Sequence, residues 1–118
     1  GAVFHIPHGL SNAILLPTVT RFSISGATDL YAAAARHIGC ANDGDTDPEA
    51  CDKLVTWLEN LNSTLELPRL RDCKGVTRDR FEATIEKMAA DALASGSPAN
   101  NPRVPTQEEI IALYEEAW

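Results

Sequence analysis

The residues with the most chemical potential are His5 and His8, three positions apart in His5-Ile6-Pro7-His8-Gly9 near the front of the chain. A neutral imidazole nitrogen is a good metal donor, and ligands close in sequence lose less entropy when a coordination shell assembles. Pro7 disfavours a regular helix through both histidines but suits a helix that starts there. His8 is then expected at a helix N-terminus, where backbone amides favour the neutral, ligating imidazole over its cation. Two histidines do not complete a metal shell, and no third ligand stands out in the sequence. The same pair also fits a plainer role, as loop or partly buried histidines satisfied by hydrogen bonds.

Other groups carry less. His37 falls near the end of an expected helix, where a cation complements the helix dipole. Asp43-Gly44-Asp45 invites a calcium-loop reading, but the twelve-residue ligand pattern and its terminal Glu are missing, so it reads as a surface loop. The stretch from Ser95 to Asn101 is rich in Ser, Gly and Asn, whose amides could approach a ligand. It matches neither a phosphate loop nor a dinucleotide fingerprint and reads as a connection. Glu108, Glu109, Glu115 and Glu116 read as a solvated helix face, and Trp57, Tyr114 and Trp118 as core or interface anchors.

Helices must position these groups. Leu10, Ala13, Ile14, Leu16 and Phe22 predict a largely buried helix over about 9–23, kinked or divided by Pro17. A second helix is expected over 28–38, capped by Thr28, burying Leu30, Ala34 and Ile38, and stopped by Gly39. The third opens with Asp47 as N-cap and Pro48 behind it, and carries a stripe of Ala50, Leu54, Trp57, Leu58 and Leu61. Glu49 and Lys53 are spaced for an i, i+4 ion pair, and Asn62 and Ser63 weaken the helix before Pro68. A fourth helix from about Thr77 presents Phe81, Ile85, Met88, Ala89 and Ala92. The last opens with a Thr106–Glu109 capping box and presents Ile110, Leu113, Tyr114 and Ala117. With no convincing strand alternation, the fold class is all-α.

Composition sets the outer bounds. A chain of 118 residues, 44% hydrophobic and 23% charged, is one globular domain at most. A net charge of −7 with dispersed basic residues argues against nucleic acid as a partner. Three cysteines without a C-x-x-C pair point to reduced thiols in a cytoplasmic protein, with a Cys40–Cys51 bridge as the alternative. No signal peptide, lipid motif or long apolar span points to a membrane. The chain opens at full apolar strength on Gly1-Ala2-Val3-Phe4 without an initiator Met, as a processed chain or a piece of a longer one would.

The run Val3-Phe4-His5-Ile6-Pro7-His8-Gly9-Leu10-Ser11-Asn12-Ala13-Ile14-Leu15-Leu16-Pro17 resembles the iron-dependent (group III) alcohol dehydrogenases. A second match, Gly96 through Asn101-Pro102-Arg103, then Thr106 and the terminal Ala117-Trp118, is similar to the C-terminus of that family. The resemblance covers the whole chain. It implies that residues 1–118 are a partial C-terminal all-helical metal-binding domain, the latter portion of the dehydroquinate-synthase-like helical domain. It also implies an enzyme that interconverts alcohols and aldehydes or ketones by hydride transfer, using NAD or NADP and Fe²⁺ or Zn²⁺.

His8, in the Pro-His-Gly element, matches the last of the family's metal ligands, typically one Asp and three His. His5 occupies a more variable position and is implied only as a substrate-pocket residue or a neighbour of the ligand. The resemblance implies as partners an N-terminal nucleotide-binding portion of the same enzyme, a small alcohol or aldehyde, and a second copy in a homodimer. A cysteine found near the cofactor in some members has no clear counterpart in the Ser95–Asn101 stretch. The segment alone is expected to be catalytically silent. Two other readings stay open, a helical structural or interaction domain without metal, and a small independent metal-binding module.

Overall fold

In a computed structural model, which describes residues 2–118, the chain is helical throughout, with no strand among the described residues. The helices are α1 (His8–Ser23), α2 (Thr28–Ile38), α3 (Asp47–Thr64), α4 (Arg78–Ala94) and α5 (Gln107–Ala117), with single 3₁₀ turns at Ile24–Gly26, Leu70–Asp72 and Ser97–Asn100. Helix α1 is central. It touches α3 on one side and α5 on the other, while α2 lies along α3 and α4 along α5.

Two apolar clusters hold these pairs. Phe4, Ile6, Ile14, Leu70, Cys73, Val76, Phe81 and Ile85 join the first residues and α1 to α4 and the turn before it. Ala32, Ala35, Ala41, Ala50, Cys51 and Leu54 form the second, where small side chains let α2 and α3 approach closely. The expected faces are therefore corrected on three helices. On α2, Ala32 and Ala35 are fully buried, whereas Leu30 and Ile38 are 69% and 49% exposed and Ala34 also faces outward. On α3, Ala50 and Leu54 are buried as expected, but Cys51 and Val55 join them and Trp57 and Leu61 do not. On α1 only Ile14 of the expected apolar set is buried, and Leu16 is exposed. The stripe on α4 is as read, with Phe81, Ile85 and Ala89 buried and Met88 packed beside them.

Helix ends follow local chemistry, with small shifts. Thr77 caps α4, and Thr106 and Glu109 close both halves of a capping box on α5. The cap of α3 is Thr46 rather than Asp47, which is the first helical residue and binds Arg36 at 2.9 Å. Thr28 does not cap α2: it is already helical, and its hydroxyl donates to the Ile24 carbonyl at 3.0 Å. Gly39 stops α2 in the left-handed conformation (φ 95°). Lys53 pairs with Asp45 at 2.7 Å, not with Glu49, so Asp45 serves its own loop, also accepting the Asn42 amide.

Pro17 does not divide α1, which runs unbroken past it. A proline at this position offers no N–H to the carbonyl four residues back, which is that of Ala13. Asn62 of α3 supplies the missing donor, its side-chain amide reaching the Ala13 carbonyl at 2.8 Å. The residue expected to weaken α3 thus serves α1.

The fold is a thin slab, 46 × 30 × 18 Å. Its radius of gyration is 15.1 Å, where a compact domain of this length has about 13.5 Å. Its surface is 7102 Å², about 900 Å² more than a monomeric domain of 12.7 kDa exposes. That surplus equals roughly one partner's share of a standard protein interface. Leu16, Leu30, Ile38, Leu65 and Val104 lie among the large apolar side chains left open.

Candidate functional site

The candidate site sits at the open end of α1. Phe4 and Ile6 are buried, fixing the entering chain, and His5 between them turns outward with a left-handed backbone (φ 55°). A non-glycine residue held there costs on the order of 1 kcal/mol, which the two flanking anchors offset. Pro7 is the N-cap, extended at φ −51° and ψ 137°, and its carbonyl accepts the Ser11 amide at 3.0 Å. His8 is therefore the first helical residue, at the helix N-terminus as expected and one position ahead of the expected start at about Gly9.

His8 is exposed, and its Nε2 lies 3.1 Å from the side-chain amide nitrogen of Asn12, one turn along α1. With that amide donating, Nε2 is the acceptor of the contact, through the lone pair a metal would use. Its partner is an exposed side chain on the same helix, easily displaced. The donor type suits a divalent transition metal, so His8 fits the role of one contributed ligand. Among the described residues, no group of three or more His, Cys, Asp or Glu comes together to hold an ion. His37 lies exposed in the last turn of α2, on an element other than His8's.

Seven residues along from His8, on the same face of α1, Leu15 begins the wall of a cavity of about 420 Å³. Val19 and Phe22 continue that wall, Ala92 of α4 and Ile110 and Leu113 of α5 face it, and the 97–101 segment covers one side. The Ser-, Gly- and Asn-rich stretch is thus more than a connection. Sequence reasoning missed the device that fixes it. Ser23, buried at 1% exposure, donates to the Val19 carbonyl at 2.8 Å and accepts the Asn101 amide at 2.8 Å. Asn101 also donates to the Arg103 carbonyl at 2.7 Å. Gly26 lies so close to this segment that a Cβ there would overlap the Pro102 carbonyl and sit 2.8 Å from the Arg103 nitrogen. The Arg103 guanidinium stacks 4.0 Å over Phe22 and pairs with Glu109 at 2.6 Å. A lone glycine after a helix was the only signal available in the sequence.

Charges elsewhere are structural. The glutamates of α5 are more than a solvated face: Glu109, Glu115 and Glu116 meet Arg103, Arg78 and Arg21. Arg78 also stacks on Phe81 and Trp118, at 5.3 Å from each ring centre. The backbone amide of Thr106, then Arg103, hold the Glu109 carboxyl below its ordinary range. The three cysteines are unbridged. Burial pushes the Cys51 and Cys73 thiols up, away from nucleophilic thiolates, and they donate to the Thr28 and Arg69 carbonyls. No helix of the described residues is long and apolar enough to cross a membrane.

An all-helical slab with a histidine at the open start of its central helix, and a cavity along the same face, is the class of structure to be placed. The family described as "Fe-containing alcohol dehydrogenase family, C-terminal" matches residues 1–118, and the chain belongs to it. It is 32% identical to the NADPH-dependent butanol dehydrogenase of Clostridium saccharobutylicum over 98% of this chain and 29% of that protein. The 1-propanol dehydrogenase of Salmonella typhimurium is 37% identical over 98% of this chain and 32% of its own length. A solved 1,3-propanediol oxidoreductase superposes with a TM-score of 0.86 at 29% identity, over 98% of this chain and 29% of that one. The chain therefore spans under a third of the length of these relatives.

Proposed function

We propose that this chain is the C-terminal portion of the helical domain of a metal-dependent, NAD(P)-linked alcohol dehydrogenase that interconverts alcohols and aldehydes or ketones. The observation that carries the reading is His8: an exposed imidazole at the start of α1, met by Asn12 of the same helix, in the Pro-His-Gly element of a chain that matches the family throughout. In this reading His8 gives one ligand to Fe²⁺ or Zn²⁺, and the remaining ligands and the nucleotide-binding domain lie upstream in the intact protein. When bound, the metal supplies Lewis-acid polarisation of the substrate oxygen.

What this chain's own residues do is hold and shape. Phe4 and Ile6 anchor the approach, Pro7 caps the helix, and Asn12 meets the His8 ring at Nε2. His5, turned outward beside them, borders the substrate pocket. The slab forms one wall of the cleft, and its surplus exposed surface supports a docked remainder of the same protein, working as a homodimer. The unbridged thiols support a cytoplasmic setting.

The test is an assay of the intact protein with a panel of alcohols and both NAD and NADP, before and after chelation and after restoring Fe²⁺ or Zn²⁺. Alcohol-dependent reduction of the nicotinamide that is lost on chelation and regained with metal is expected. The 118-residue chain alone is expected to be inactive. Metal-independent folding with no alcohol oxidation in the intact protein would instead favour a helical interaction domain. Tight, specific metal binding by the chain alone would favour an independent metal module.

A further inference from the structure

We infer that the cavity bounded by α1, α4 and α5 receives the apolar tail of a primary alcohol longer than four carbons, with Ala92 and Leu113 setting the accepted length. This rests on the reading of the open end of α1 as the reaction site. Residues seven apart on a helix return to the same face, so His8, Leu15, Val19 and Phe22 form one stripe along α1. This stripe lies opposite the buried Pro17, and its Leu15, Val19 and Phe22 line the cavity. Leu15 lies about 10 Å along the axis from His8, and its side chain leans back toward the N-terminus, which shortens the gap. A two- or three-carbon substrate engaged at the His8 end stops short of the cavity, whereas a hexyl or octyl tail reaches it.

The cavity wall is mainly carbon, with polar side chains such as Thr18, Asn100 and Tyr114 among those that line it. Leu15, Val19, Phe22, Ile110 and Leu113 present carbon, and no side chain with a formal charge lines it. Its volume of about 420 Å³ falls within the range of small-molecule sites. Its outer side is held by the Ser23–Asn101 contact and the Gly26–Pro102 approach rather than by a mobile loop. Ala92, the smallest lining side chain, leaves room on the α4 side that a larger residue would fill.

The experiment compares kcat/KM for ethanol, 1-butanol, 1-hexanol and 1-octanol in the intact protein, alongside calorimetric binding of 1-octanol. Beyond four carbons, each added methylene is expected to raise kcat/KM roughly threefold to fourfold. Ala92→Phe is expected to cut the 1-octanol value at least tenfold, weaken 1-octanol binding, and leave ethanol within twofold. Should Ala92→Phe fail to fold, Leu113→Ala, which enlarges the cavity, is expected to move the preferred length upward. Ethanol oxidation with no gain for longer chains, or a gain untouched by both variants, overturns this inference and leaves the dehydrogenase reading intact. Oxidation of no alcohol at all overturns both.

Discussion

The two ends of α1 are built on opposite terms. At its C-terminal end Thr18, Thr20 and Ser23 are buried, the 101–103 segment is pressed against Gly26, and Asn62 supplies the donor that Pro17 lacks. At its N-terminal end His8, Gly9 and Asn12 are exposed, and among the described residues the His8 ring meets only a neighbour on the same helix. One end is fixed by contacts within this chain; the other is open. A helix that carries a ligand needs both, because a rigid far end positions the residue and an open near end lets it bind.

The largest expected break in this contrast is at Gly26. Gly26→Ala forces a Cβ into the Pro102 backbone, which cannot yield as a side-chain tip could, and should cost about 3 kcal/mol. Denaturant unfolding of the intact protein measures it; a change below about 0.5 kcal/mol would mean the close approach is not maintained. Next, Asn62→Ala leaves the Ala13 carbonyl without a donor and should cost about 1–3 kcal/mol. In a Pro17→Ala background, where the carbonyl regains a backbone donor, that cost should fall by about half or more, so a double-mutant cycle isolates the coupling. Thr106→Ala, which opens the α5 capping box, should cost about 1 kcal/mol.

At the open end the same unfolding measurement, made on metal-stripped protein, should barely respond: His8→Ala is expected within about 0.5 kcal/mol of the parent. The smallest effect is with pH. The folded-state carboxyl of Glu109 is held below its unfolded value, so its stabilising contribution is present above that unfolded value. It is lost as pH falls through the lower folded value. Glu109→Gln should flatten stability in that acidic window and leave the neutral-to-alkaline dependence unchanged.

What was legible in the sequence divides along similar lines. The starts of α4 and α5 and the stop of α2 are set by residues adjacent in the chain, Thr77, Thr106 with Glu109, and Gly39, and could be read directly. Pro7 marked the start of α1 to within a residue, though it is the N-cap and His8, not Gly9, is the first helical residue. The buried face of α2 could not be read the same way. Periodicity marks the apolar positions, but close packing on α3 selects Ala32 and Ala35 and leaves the larger Leu30 and Ile38 outside. Asn62 looked like a weak helix residue because its role is to satisfy a carbonyl 49 positions earlier. The Ser23–Asn101 contact, 78 positions apart, left no local mark either. Spacing alone raised His8 as a candidate together with His5, and the family resemblance separated the two.

In the proposed function His8 contributes one ligand to a metal held mainly by residues outside this chain. The most direct test is the metal content of the intact protein, as parent and as His8→Ala, after dialysis against a weak chelator, with helicity followed in parallel. The account predicts a retained metal ion in the parent and loss of most of it in the variant, at unchanged helix content. Equal metal retention in the two proteins would contradict it.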